Sequence, residues 1–177
     1  MKKIKNISKQ FPSIRMRRNR MKSFSRRLIA ENKISIDDLI WPLFVIEGTN
    51  VKAEVLSMPG VARLSVDNLL KEVETACKLK IPAVAIFPHI DGNFKDDRGT
   101  LALDPDNLVC RAIKKIKKEF PDIGIICDVA LDPYTDHGHD GIVADGQVDN
   151  DQTLLLLGKQ AVIQASAGCD IIAPSDM

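Results

Sequence analysis

The stretch Ile123-Gly124-Ile125-Ile126-Cys127-Asp128-Val129-Ala130-Leu131-Asp132-Pro133 decides the fold, because an apolar run rich in isoleucine and valine gives way within it to carboxylates. The run from Ile123 to Val129 is short and bounded by Pro121 and Pro133, so it reads as a buried strand rather than a helix. The residues that follow, Tyr134-Thr135-Asp136-His137-Gly138-His139-Asp140-Gly141, then mark the carboxyl end of that strand, where acidic groups and imidazoles gather.

Three further apolar runs have the same character. Asp38 to Gly48 contains Trp41-Pro42-Leu43-Phe44-Val45-Ile46 and reads as a first strand ended by Gly48, with Pro42 near its start, where a missing N–H is tolerable. Ala83 to Pro88 is a second strand, and Asp170 to Asp176 is a fourth, polar at its carboxyl end. Helical spacing fills the intervals. Ser65 is the expected cap of a helix running to about Lys80 through Val66, Leu69, Leu70, Val73 and Cys77. Asp104 is the expected cap of a second, with Pro105 at its first position and Leu108, Ala112, Ile113, Ile116 and Phe120 on one face. A third opens at Asp151 and ends near Gly168. The order β, α, β, α, β, α, β implies parallel βαβ units.

The formal charge of +1 conceals an asymmetry. Residues 1–30 carry eleven Lys/Arg and no Asp/Glu, whereas fourteen Lys/Arg face twenty-four Asp/Glu from Glu31 onward. A basic arm over residues 1–32 therefore precedes an acidic body over residues 33–177, and the arm suits a nucleic acid, another subunit or solvent. Cys77, Cys110, Cys127 and Cys169 lie at wide spacings within apolar segments, with no CxxC pair and no secretory leader, which favours reduced thiols in a cytoplasmic protein. No apolar run approaches the roughly 18 residues of a membrane span.

Two architectures share the βαβ pattern. No GxGxxG or Walker A turn follows any strand, which removes the usual phosphate-binding signature of a doubly wound sheet. Polar residues gather at the carboxyl ends of strands three and four, as in a (β/α)8 barrel. A typical barrel needs about 250 residues, so four strands are expected to form half of one.

Alternation along the third strand puts Asp128, Ala130 and Asp132 on one face and Cys127, Val129 and Leu131 on the other. A carboxylate facing a lumen needs a lysine, an arginine or a metal beside it, in a functional site or in a structural ion pair. Asp132, Asp136, His137, His139 and Asp140 share one loop, which reads as a cation site or as a solvated acidic turn. Oxygen-rich ligation there would suit Mg²⁺ better than zinc.

With these residues in place the chain resembles the porphobilinogen synthase (5-aminolevulinic acid dehydratase) family from the arm to the last residue. The blocks carrying the resemblance are Arg15-Met16-Arg17-Arg18-Asn19-Arg20 with Arg26-Arg27-Leu28, Leu43-Phe44-Val45 with Glu47-Gly48, and Ser57-Met58-Pro59-Gly60-Val61 with Arg63-Leu64-Ser65. Asp128-Val129 with Tyr134-Thr135 and His137-Gly138, and Ala173-Pro174-Ser175-Asp176-Met177, complete the set. The resemblance implies condensation of two 5-aminolevulinate molecules to porphobilinogen, with two Schiff-base lysines that lie beyond Met177 in the family. It implies that Asp128 supports those lysines, that Ser175 and Asp176 bind or order substrate, and that Asp132, Tyr134, His137 and Asp140 form a substrate or cation loop. Zinc-type members have cysteines where this chain has Ala130, Asp132 and Asp140, so no zinc is expected. The pattern is similar to the aspartate-rich branch, in which Mg²⁺ acts largely between subunits, so Asp132 and Asp140, the candidate metal ligands here, are expected to bind a labile cation, a water or the substrate amine. Family arms contact neighbouring subunits in a homo-octamer, which favours self-association over nucleic acid for residues 15–27. The alternative is a non-catalytic remnant that keeps the assembly surfaces alone.

Overall fold

A computed structural model describes residues 11–12 and 14–175, in two compact units divided between Ser35 and Ile36. In the first unit, where the basic arm shows no helical period, six residues form helix α1 (Ser23–Leu28). Ser25 Oγ donates to the carbonyls of Asn19 and Lys22 at 2.9 Å, and Arg26 Nη1 donates to Arg20 O at 2.9 Å, so side chains hold a short turn that periodicity could not reveal. None of its described residues is buried, and Met16, Met21, Phe24 and Leu28 are all well exposed.

The second unit is an α/β fold. Its strands are β1 (Ile40–Ile46), β2 (Lys52–Glu54), β3 (Ala62–Leu64), β4 (Ala83–His89), β5 (Gly124–Val129), β6 (Val143–Ala144), β7 (Gln147–Val148) and β8 (Ile171–Pro174). Its helices are α2 (Val66–Lys78), α3 (Leu108–Glu119) and α4 (Asn150–Ala167). Six strands form one sheet in the order β2-β3-β1-β4-β5-β8, parallel except for β2, while β6 and β7 make a separate hairpin. The four long runs in the sequence are β1, β4, β5 and β8, adjacent in chain order as parallel βαβ units require. β2, β3 and the hairpin were not expected, because two- and three-residue strands are too short to show a period.

The strands bury alternate residues. Leu43, Val45, Val84, Ile86, Ile125, Cys127 and Val129 form the helix-facing side and pack with Leu69 and Val73 of α2, Ile113 and Ile116 of α3 and Leu157 of α4. The opposite side carries Phe44, Phe87, Ile126 and Asp128, all half-buried, with the Phe44 and Phe87 rings 5.8 Å apart.

Helix starts differ from expectation in detail. Asp104 does not cap α3; its carboxylate accepts from Asp106 N at 2.8 Å within a turn, and Asn107 caps the helix by accepting from Cys110 N at 2.9 Å. Asp149 rather than Asp151 caps α4, accepting from Gln152 N at 3.0 Å. Ser65 occupies the cap position of α2, but its hydroxyl accepts from Val51 N at 2.9 Å, tying the β2–β3 excursion to the helix. Gly168 ends α4 in the left-handed region (φ 110°), as its glycine allows.

Candidate active site

The carboxyl ends of β5 and β8 lie side by side, with Asp128 paired to Ala173 and Val129 to Pro174. This register brings Ser175 within reach of Asp128, and Ser175 Oγ donates to Asp128 Oδ1 at 2.7 Å. Both residues were singled out from sequence, and the structure brings them into direct contact. Asp176, the third of that group, lies outside the described residues.

Beyond β5 the chain turns back on itself, with Tyr134 N and Thr135 N both donating to Leu131 O, at 2.8 and 3.0 Å. Asp132 sits on this turn. Partial desolvation, then the charges of Asp140 and of Asp128, raise its carboxyl above the ordinary 3.8, while Lys95 opposes the shift. Asp132 is thus within electrostatic reach of both Asp140 and Asp128. Lys95 Nζ makes a long contact of 3.4 Å to Asp132 O, so the β4–α3 loop brings a cation to this acidic end.

A strap between two loops fixes the rest. Asp96 N donates to Tyr134 O at 3.3 Å and Asp136 N to Asp96 O at 3.1 Å. The Asp96 carboxylate accepts from Thr100 N at 2.9 Å and Arg98 N at 3.0 Å. Burial works against ionisation of Asp96, but these donors outweigh it and hold the carboxyl below its ordinary value. Tyr134 lies beneath the loop, 2% exposed in the core, where burial pushes its phenol up. It anchors the loop from below.

His137 uses both ring nitrogens. Nδ1 accepts from His139 N at 3.1 Å, which leaves the ring proton on Nε2 to donate to Asp97 O at 3.2 Å. In this arrangement neither nitrogen is free to ligate a metal. Downstream, Gly141 lies where a Cβ would come within 2.6 Å of Thr153 Oγ1, and Thr153 Oγ1 itself accepts from Ile142 N at 3.0 Å. Only glycine lets the loop lie this close to α4.

Beside the imidazoles of His137 and His139, whose ring centroids lie 5.4 Å apart, the side-chain ligand atoms at this end are carboxylate oxygens. Ala130 is buried and offers no ligand, and Cys127 points into the helix-facing core. Among the described residues no three His, Cys, Asp or Glu side chains converge as metal ligands. Sequence reasoning missed Lys95 and two buried glutamines, Gln160 and Gln164, which donate to the backbone of the site strand. Their four-residue spacing, in line with Leu157 and Ala167 on the buried face of α4, was the available signal.

Comparison with known proteins places these features in context. The delta-aminolevulinic acid dehydratase family matches residues 13–177. A delta-aminolevulinic acid dehydratase from Bradyrhizobium diazoefficiens is 57% identical over 165 residues, 93% of this chain and 47% of its own length. One from Chlamydia pneumoniae is 48% identical over 165 residues, 93% of this chain and 50% of its own. The crystal structure of the Toxoplasma gondii enzyme in complex with the reaction product porphobilinogen matches with a TM-score of 0.85 at 43% identity, over 93% of this chain and 47% of that one. The chain thus spans about half the length of these two curated relatives.

Proposed function

This chain belongs to the delta-aminolevulinic acid dehydratase family, and from that premise we propose that it forms the first half of a porphobilinogen synthase. The reaction joins two 5-aminolevulinate molecules into porphobilinogen, and two waters leave. In this reading β1, β4, β5 and β8 are the first four strands of a (β/α)8 barrel, and the side bearing Asp128 faces the lumen. The sequential parallel order of these strands supports the arrangement, as does a helix layer on the other side. The observation that carries the function is the similarity over nearly the whole chain to a structure with porphobilinogen bound.

Two lysines that form Schiff bases with the substrate ketones come from the part of the relatives that this chain does not span. This chain supplies their surroundings. Asp128 holds an ammonium in place or moves a proton to and from it, and the Ser175 hydroxyl fixes which carboxylate oxygen is free to do so. Asp176 shares this end of the strand by position. Asp132, Asp140 and His137 shape the entrance, and Tyr134 supports it from the core.

The donor set fits Mg²⁺ rather than zinc. Asp132 and Asp140 offer hard carboxylate oxygens, and no thiolate faces them. A labile Mg²⁺ there would offset the mutual repulsion of the carboxylates. The arm makes contacts between copies in a homo-octamer, a role supported by exposed Met16, Met21, Phe24 and Leu28 among its arginines. No described helix is long and apolar enough to cross a membrane, and the four cysteines are free, which suits the cytoplasm.

Borohydride reduction in the presence of 5-aminolevulinate tests the division of labour. The 177-residue chain alone is expected to trap no substrate; a covalent adduct on any of its lysines would contradict the proposal.

A further inference from the structure

Two glutamines on the inner side of α4 are poorly explained by packing. Gln160 and Gln164 are 1% and 2% exposed. Gln160 Nε2 donates to Ala130 O at 3.0 Å and Gln164 Nε2 to Asp128 O at 2.9 Å. The Oε1 of each is buried with no hydrogen-bond partner. An acceptor buried without a donor costs free energy, and a methionine would fill similar space without that cost.

What the pair supplies is register. The glutamines are four residues apart on a helix, a rise of about 6.0 Å, and the carbonyls are two residues apart on a strand, about 6.6 Å. Helix and strand run in opposite directions, so the later glutamine meets the earlier carbonyl. Donors are scarce at this point of the sheet. Asp128 O faces β4, where the ladder's last pair is Ile86 with Cys127 and the next residue placed to donate, Pro88, has no N–H, and Ala130 lies beyond the last paired residue.

We propose that Gln164 and Gln160 are positioning residues that fix the end of β5, so that the Asp128 carboxylate and the turn to Asp132 stand at a set height and direction. The proposal rests on reading Asp128 as the site carboxylate, and it adds the device that holds it. Asp128 is clamped twice, its carbonyl by Gln164 and its carboxylate by Ser175. Gln160 sets the direction in which the chain leaves for Asp132.

The test uses Gln164→Met and Gln160→Met in the 177-residue chain, followed by carbon NMR of Asp128 and Ala130 alongside thermal unfolding. Each variant removes an unpartnered acceptor but leaves a strand carbonyl without its donor, so the two costs offset and Tm is expected to change little. Gln164→Met should nevertheless shift the Asp128 carbonyl and carboxyl signals, and Gln160→Met the Ala130 carbonyl. Unchanged signals overturn the proposal whatever happens to Tm. A variant that unfolds also counts against it, because the glutamines would then serve stability. A second arm co-expresses the chain with the carboxyl-terminal half of the Bradyrhizobium diazoefficiens relative, where Gln164→Met should lower kcat about tenfold or more with KM little changed. If the wild-type pair makes no porphobilinogen, the proposed reaction fails while the NMR arm still decides the positioning.

Discussion

On one side of β5, Ile125, Cys127 and Val129 are 0%, 0% and 1% exposed beneath the helices, while on the other Asp128 stands half-buried with its carboxylate bonded to Ser175. The strand's two-residue period keeps these roles apart by no more than one peptide unit. The apolar side holds the sheet to α3 and α4. The side bearing Asp128 is only half-buried, and at its polar end the ordering comes from hydrogen bonds. Substitutions on the two sides should therefore fail in different assays, and the contrast can be attacked from either.

The largest effect is expected at Asp128. Asp128→Asn, assayed with the second half supplied by a relative, should lower turnover by about 10²- to 10⁴-fold, the range of a lost proton-transfer group, with Tm nearly unchanged. A large fall in Tm with turnover preserved would reverse the assignment of the two sides. On the helix-facing side Ile125→Ala should do the opposite, costing about 2–5 kcal/mol in denaturant unfolding. Its carboxylate signals at Asp128 should stay in place while the variant remains folded.

The strength of this contrast in the sequence explains how much could be read from it. Alternation and bounding prolines exposed β5, and similar runs exposed β1, β4 and β8, because a buried strand must be apolar and its end must not be. Competition among equivalent caps was less legible. Asp104 and Asn107 can both cap a helix, and only the fold of the intervening turn selects Asn107. Contacts between strands distant in sequence left no local trace, so Asp128 and Ser175 could each be named but their bond could not. The resemblance named the site residues, whereas Gln160 and Gln164 went unread because a glutamine on the buried face of a helix looks like noise until its acceptor is seen.

The loop beyond β5 offers smaller effects that sharpen the same comparison. Gly141→Ala would force a methyl against Thr153 and Val148, and is expected to cost about 1–3 kcal/mol. Hydrogen exchange should locate that loss at the hairpin and the start of α4 rather than in the sheet. The smallest effect concerns pH. Because the folded state raises the Asp132 carboxyl above 3.8, it binds that proton more tightly than the unfolded chain does. The associated stability is present at low pH and is lost as pH rises through the raised value. Asp132→Asn should flatten the stability profile just above pH 3.8; an unchanged profile would show that neither desolvation nor the Asp140 and Asp128 charges raise this carboxyl.

The most direct measurement is complementation. This chain is co-purified with the carboxyl-terminal half of the Bradyrhizobium diazoefficiens relative, and porphobilinogen is quantified after addition of 5-aminolevulinate. The account predicts product from the pair, none from either half alone, and loss of product when Asp128 is replaced by alanine. Product formed equally well by a pair carrying Asp128→Ala would contradict it.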